Sequence, residues 1–494
     1  MLSNKYHNRS SRILKQIKLH VILPIMITSI FLGGCSGTMF TSYPKKINPI
    51  LNSLATHTPI DFNQCLISEC KGSDIILYNM ERGRIAQLTG YLDVSMRDFT
   101  ASIDKIREND QKATISASSI AENVGAVLTN DNVISYIGDG YERVLLHHYQ
   151  SLNYLKQKDL EGAGVEVRRA NMEQEEALKR FAKDVENAQK QVEEKKVDVN
   201  NQSAIESKYA EMDEIAGKVK NSFQNAYTFY LSGFIYELIN QPNDAYIDYK
   251  KALEIYPENN YVQKDVLRLA ESLNMSEDLD ALRNRFQVGP LKKSNSSSGG
   301  ELLVLFEDGF APQKQEIKIP IPIPSVGLVT IAFPIYRGKW NTPAALQVYE
   351  QNNLIGPTEP ICDIHVLAVK ALKEKIPAMA IRQIIRAALK GTSNVAAKKA
   401  FGDLGTIGMS VLNFATENAD QRSWLTLPSN AQILRTSLSA GVHKIMFQQT
   451  DGSQGFADIE IAENSKTVFH VIKTGNQFYT STTNFTRQSI ASSN

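Results

Sequence analysis

Phe229, Gly233, Tyr236, Ala245, Tyr249, Ala252 and Pro257 stand at a spacing that restricts the fold more than any other feature of this chain. Read as two helices joined by a tight turn, the pattern places small Gly233 and Ala245 where the helices approach. Tyr236 and Tyr249 fill the space between, and Pro257 ends the second helix. The spacing returns at His147, Ser151, Tyr154, Ala163, Val167 and Ala170, with Lys158-Asp159 in the turn, and more faintly at Gly83, Ser95, Phe99 and Ser102. A single hairpin cannot bury its apolar face, so repeated hairpins imply a stack in which each covers the next. The copies lie further apart than one repeat, so the chain between them must supply additional helices. In one such stretch, residues 172 to 222, Glu173, Glu175, Glu176, Lys179, Lys183, Glu186, Lys190, Glu193 and Glu194 alternate in sign with few apolar residues. It reads as a long solvated helix, bent near Asp198 to Gln202, rather than a coiled coil.

The seven positions of the clearest copy resemble the tetratricopeptide repeat, a 34-residue helical hairpin. The chain also resembles an uncharacterised family of bacterial lipoproteins that carry such repeats. The likeness lies in Gly83-Arg84-Ile85-Ala86-Gln87-Leu88, in the run from Gly140 to Tyr149, in Asp159-Leu160-Glu161-Gly162-Ala163, and in Asp420-Gln421-Arg422-Ser423-Trp424-Leu425-Thr426-Leu427-Pro428. The resemblance brings no known activity. It implies a lipid-anchored periplasmic protein with a helical-repeat module and a separate C-terminal region.

The N-terminus supports that address. Lys5, Arg9, Arg12, Lys15 and Lys18 precede an apolar run from Val21 to Leu32, the arrangement of a secretory signal and too short for a spanning helix. Leu32-Gly33-Gly34-Cys35 resembles a lipobox, which implies cleavage before Cys35 and acylation of that residue, for instance with palmitate. Ser36, where an inner-membrane protein tends to carry aspartate, implies the periplasmic face of the outer membrane of a Gram-negative cell. Cleavage removes five basic and no acidic residues, moving the net charge from +1 to −4, so nothing favours nucleic acid as a partner. Of the remaining cysteines, Cys65 and Cys70 are close enough to pair, which would leave Cys362 odd. No ligand spacing for a metal accompanies them, and no cofactor motif is present.

After the Ser- and Gly-rich stretch from Lys292 to Gly300 the period changes from helical to alternating. Glu301 to Phe306, then Asp308-Gly309, reads as a strand and turn. Ile317, Ile319, Ile321 and Ile323 alternate with Lys318, Pro320, Pro322 and Pro324, so the prolines remove donors from one edge only. This reads as an edge strand able to pair with Leu328 to Phe333, a polyproline stretch being the alternative. A helical segment is expected from about Asp363 to Asn418, with Ile381, Ile384, Ile385 and Leu389 on one face; Gly402, Gly405 and Gly408 serve close helix packing or a loop. Strands are expected again at Gln432 to Ser437, Val442 to Gln448, Phe456 to Ile461 and Thr467 to Ile472, with turns at Ala440-Gly441, Asp451-Gly452 and Glu463-Asn464.

The expected fold is therefore α+β and multidomain. It comprises a signal peptide (1–34), a lipidated tether (35–50), a tetratricopeptide-like helical domain (51–290, clearest repeats at 79–107, 147–172 and 229–257), a linker (291–300), a β-sandwich-like domain (301–480) with a helical insertion (363–418), and a polar tail (481–494). The densest polar cluster is Asp139, Glu142, Arg143, His147 and His148. Glu142 with His147 or His148 is the candidate for acid–base work, although the spacing is not that of a zinc metalloprotease and no nucleophile elbow is present. Burial is expected for Trp424 beneath the last sheet. The favoured function is binding: an adaptor or scaffold for a periplasmic protein or peptide, with Arg143, His147, Asn153, Gln224, Tyr227 and Ser232 lining the groove of the first helices. Peptidoglycan-synthesis enzymes or envelope-assembly machinery are the clients by analogy. The alternatives are an envelope hydrolase acting near Glu142 and His148, or a structural component of a secretion or pore assembly.

Overall fold

The computed structural model describes residues 42–62, 65–66, 72–116, 135–195, 202–287, 299–323, 327–386 and 418–486. The signal peptide, Cys35, Cys70, the bend expected at 198–202 except Gln202, the linker up to residue 298 and the Gly402, Gly405 and Gly408 series lie outside them. The chain divides into compact units 1–46 and 47–494; of the first, residues 42–46 are described. The fold is mixed α/β, with the helices mostly preceding three sheets.

After α1 (Tyr43–Ala55), four antiparallel helix pairs follow: α2 (Ile75–Leu88) with α3 (Leu92–Ser116), α4 (Gly140–Lys156) with α5 (Leu160–Lys195), α6 (Ala226–Leu238) with α7 (Pro242–Ile255), and α8 (Asn260–Ser272) with α9 (Ser276–Phe286). Each pair packs on the next through α3 against α4, α5 against α6 and α7 against α8.

The four inter-helix turns share one backbone design. Gly90, Lys158, Asn240 and Asn274 each adopt a left-handed conformation, with φ of 87°, 60°, 58° and 56°. The next amide in each turn, that of Tyr91, Asp159, Gln241 or Met275, donates to the carbonyl five residues back, on Ala86, Tyr154, Tyr236 or Ala270, at 2.8–2.9 Å. This helix-ending motif satisfies carbonyls that the helix itself leaves open.

Close approach within a pair rests on glycine where the sequence pattern placed it. A Cβ on Gly83 would stand 2.5 Å from the Phe99 ring, and one on Gly233 would stand 2.7 Å from the Tyr249 ring. Both aromatic rings are fully buried, so neither can move aside freely. Gly233→Val is therefore expected to cost about 1–3 kcal/mol through overpacking, read as a lower urea midpoint at unchanged m-value.

The five-stranded sheet has the order β11 (Gln477–Phe485), β10 (Lys466–Thr474), β1 (Gly299–Asp308), β7 (Asn430–Ser439), β6 (Glu359–Asp363), with only β1 and β10 parallel. A four-stranded sheet runs β5 (Asn353–Pro357), β4 (Gln347–Glu350), β8 (Gly441–Gln448), β9 (Gln454–Ile461). Leu302, Val304 and Phe306 of β1 join Phe469, Val471, Leu434, Val348, Ile445, Phe447, Ile459 and Ile461 in one core shared by the two sheets. β1 is buried on both faces, which explains its unbroken apolar run.

Among the described residues, β2 (Gln315–Ile323) pairs only with β3 (Gly327–Ile335). Ile319 and Ile321 are buried while Lys318, Pro320 and Pro322 are exposed, as an edge strand of alternating isoleucine and proline requires. A helix at residues 364–386, here α10, follows β6, so the described part of the helical insertion sits between two strands that pair with each other. The polar tail is shorter than composition suggested. Its first residues form the end of β11, where threonines suit a half-exposed edge strand.

Candidate functional site

The odd-numbered residues of β1 face the helices, and there the two halves of the chain meet. Glu307, with no exposed surface, pairs with the equally buried Arg84 of α2. Tyr227 of α6 donates its hydroxyl to Glu307 Oε1 at 3.1 Å, and His470 Nε2 of β10 lies 3.1 Å from the same oxygen. Arg84 stacks 4.0 Å over the Tyr149 ring and donates to Gln87, whose amide group in turn reaches Tyr149 O (2.9 Å) and Asn153 Oδ1 (2.6 Å). Burial pushes the Glu307 carboxyl up, but Arg84 and then His470 outweigh it and hold the group well below the usual carboxylate range.

A second ionic network lies along the same seam. Arg435 of β7 meets Glu237 (3.0 Å), Asp265 (3.1 Å) and Glu301; Arg268 meets Glu237 (2.7 Å) and Asp265 (2.9 Å); Lys466 meets Glu237 (2.9 Å) and Glu301 (3.1 Å). Three cations thus face three carboxylates drawn from α6, α8, β1, β7 and β10. Each charge has a partner, the condition under which buried ions are tolerable.

The third element is a clamp on an irregular stretch of the chain itself, which turns at Leu425-Thr426. Glu142 of α4 accepts from Trp424 N at 2.7 Å and Glu81 of α2 accepts from Leu425 N (2.7 Å) and Thr426 N (2.9 Å). Glu142 also accepts from Asp139 N (2.7 Å) and the Tyr136 hydroxyl. Trp424, wholly buried, packs edge-on to Phe99 and Tyr149 at 5.9 Å each, so it lies among α3 and α4 and not beneath the last sheet. Arg422 anchors the start of the stretch through Asp74 (2.6 Å) and Asp420 (2.9 Å). Chemically, two buried carboxylates read three successive main-chain amides while an aromatic pocket reads one side chain.

Three of the four sequence runs quoted for the lipoprotein likeness converge here: Arg84 and Gln87 from the first, Glu142, His148 and Tyr149 from the second, and Arg422, Trp424 and Thr426 from the last. Comparison with protein-family models, curated proteins and solved structures finds no match.

The groove residues expected from sequence are mostly occupied within the chain. Arg143 is buried between Glu173 (2.8 Å) and Asp110 (3.2 Å), and His147 Nδ1 meets Glu166 at 2.7 Å. Asn153 bridges Gln87 and Ser95 Oγ (2.8 Å), Tyr227 serves Glu307, and Ser232 donates to Asp248 at 2.6 Å. Gln224 alone of the six is exposed. Arg143, His147, Asn153 and Ser232 are taken up by neighbouring helices and Tyr227 by β1, while the 422–427 stretch fills the space beside Phe99 and Tyr149. Glu142 and His148 also work apart: the carboxylate holds the Trp424 amide, while His148 packs at 4.3 Å from the Tyr227 ring. Cys65 and Cys362 are buried, and burial pushes the Cys362 thiol up; the Cys65–Cys70 pair lies partly outside the described residues. Among the described residues no cluster of His, Cys, Asp and Glu could hold a metal ion, and no helix is long and apolar enough to cross a membrane.

Glu81, Arg84, Glu307, Arg435 and His470 were not singled out in sequence. The available signal was a charge closing an apolar strand, as Glu307 closes Leu302 to Phe306.

The two buried histidines predict acid sensitivity. Burial lowers His148 to about 3 and lowers His470 despite Glu307 beside it, so both are neutral when folded. The unfolded chain takes up these protons below about pH 6.5, and stability therefore falls as pH drops through that value toward the folded one. Glu307 adds to the loss below its ordinary range. His148→Phe is expected to flatten the slope of unfolding free energy between pH 6 and 4 by up to about 1.4 kcal/mol per pH unit, one proton's worth, measured by urea titration.

Proposed function

We propose that this protein is an outer-membrane-anchored periplasmic lipoprotein, held by acylated Cys35, in which tetratricopeptide-like hairpins and a sandwich-like pair of sheets form a scaffold for cell-envelope proteins. The observation that carries the reading is the set of four like-built hairpins whose inner helices α2 and α4 hold a turn of the chain by its main-chain amides, as the concave surface of a helical-repeat scaffold can hold a peptide. Because that face is filled in cis, the client is read by the outer helices. Met172, Leu178 and Phe181 of α5 and Ile247 of α7 are exposed large apolar side chains there, and Gln224 is exposed nearby in sequence to α6. Leu178 and Phe181, three residues apart, share one face of α5, and a contiguous exposed apolar patch is what marks an interaction surface.

Photo-crosslinking residues placed at Leu178, Phe181 and Gln224 in cells test the reading. One discrete protein adduct in the membrane fraction, lost when Cys35→Ala releases the protein from that fraction, is the expected result. No adduct from any of the three positions, or no palmitate uptake dependent on Cys35, contradicts it.

A further inference from the structure

We propose that the loop from β3 to β4, with the turn at residues 217–220, is a docking surface for an anionic phospholipid membrane. Trp340 is half-buried on this loop, flanked by exposed Arg337 and Lys339, and Lys218 lies 4.0 Å over its ring. Lys220, also exposed, is two residues further along. None of these four cations enters an ion pair among the described residues, whereas the neighbouring Lys373 and Lys375 are paired with Asp213 and Asp139. The sequence carries no Asp or Glu from Ile215 to Tyr236 or from Arg337 to Tyr349. Asp363, which is buried, accepts the indole N–H at 2.6 Å and Val366 N at 2.9 Å; exposed Glu211 and Glu214 lie just before the turn, and Asp213 pairs with Lys373. The indole is thus held by a bond that points inward, with Lys218 over its ring and Arg337 and Lys339 beside it in the loop.

The way the indole is held favours lipid over an anionic glycan. Stacking on a sugar needs a free ring face, and Lys218 covers one. With the N–H turned to Asp363, the part left at the surface is hydrocarbon, continued by Pro343, Ala344 and Ala345. An aromatic rim with lysine and arginine beside it suits the headgroup level of a bilayer. Anionic lipid attracts each such cation by about a five-fold gain in partition near the surface. The surface does not depend on the acyl anchor, so it is testable without it.

The full chain carrying Cys35→Ala, mixed with sedimenting vesicles, gives the test. Binding to phosphatidylcholine–phosphatidylglycerol vesicles, weak on pure phosphatidylcholine and reduced by salt, is expected. Arg337→Glu with Lys339→Glu should lower it by about 25-fold or more, Trp340→Ala should lower it with the salt dependence kept, and Lys105→Glu with Lys112→Glu on α3 should leave it unchanged. Equal binding to both vesicle types, indifference to the loop variants, or retention of a soluble anionic polysaccharide in place of vesicles overturns the proposal. Failure of palmitate labelling would leave this result standing, so the two readings fail separately.

Discussion

Arg84→Met is expected to lower the unfolding free energy by about 3–5 kcal/mol, the cost of leaving one member of a buried ion pair alone. Neither Arg84 nor Glu307 has exposed side-chain surface, so water cannot reach the carboxylate that remains. The Tyr227 hydroxyl and His470 still face it, and protonation of Glu307 becomes the cheapest response. The deficit of the variant relative to the parent should therefore shrink below neutral pH, on top of the acid loss that both share through His148. Arg84→Met combined with Glu307→Leu removes both charges and should be much closer to the parent than Arg84→Met. Equilibrium urea unfolding of the two singles and the double, as a cycle, measures the coupling. A loss under about 1 kcal/mol in Arg84→Met would mean that the seam is wet and loosely held.

Trp424→Ala should cost a comparable 3–5 kcal/mol, because it empties the space between Phe99 and Tyr149 and exposes the clamped amides. Trp424→Phe should cost less, losing part of the ring and the indole bond to Thr426 at 3.0 Å while keeping the aromatic contacts. The main-chain contribution is separable: Glu81→Ala leaves the Leu425 and Thr426 amides without their acceptor but retains the ring. Thermal unfolding of the three variants should rank them Trp424→Ala, Glu81→Ala, Trp424→Phe in falling severity. If Trp424→Ala unfolds near the parent temperature, the 422–427 stretch is an ornament of the fold and not the filler of the inner face.

Local features of this fold were legible because local physics decides them. Gly83 and Gly233 announced a close approach, and the rings of Phe99 and Tyr249 are indeed what a side chain there would strike. Gly441, Gly452 and Asn464 announced turns and have φ of 141°, 86° and 54°. Other elements were masked by composition. The α8–α9 pair repeats the α6–α7 turn at Asn274, but Leu267 and Leu279 stand where Gly233 and Ala245 stand one repeat earlier, so the pattern of small residues vanishes there. β11 is polar enough to pass for a tail.

The site was the least legible part. Glu142 reads with His147 or His148 as a candidate for acid–base work and Glu81 carries no signal, since their partners, the amides of residues 424 to 426, are hundreds of residues away in sequence. Burial of Trp424 followed from its chemistry, but its neighbours followed from topology. Likewise Arg143, Asn153, Tyr227 and Ser232 are of types that line binding grooves, but the packing of neighbouring helices gives Arg143, Asn153 and Ser232 their partners, and the placement of β1 gives Tyr227 Glu307.

The hairpins and the sheets form one folded unit, sealed by buried charges. Native-state amide hydrogen exchange measures this directly. Amides of α2 and α4 should open with the same free energy and the same urea dependence as those of β1 and β10, through a single global event. Exchange in α2 and α4 at a much lower free energy, with β1 and β10 still protected, would contradict it.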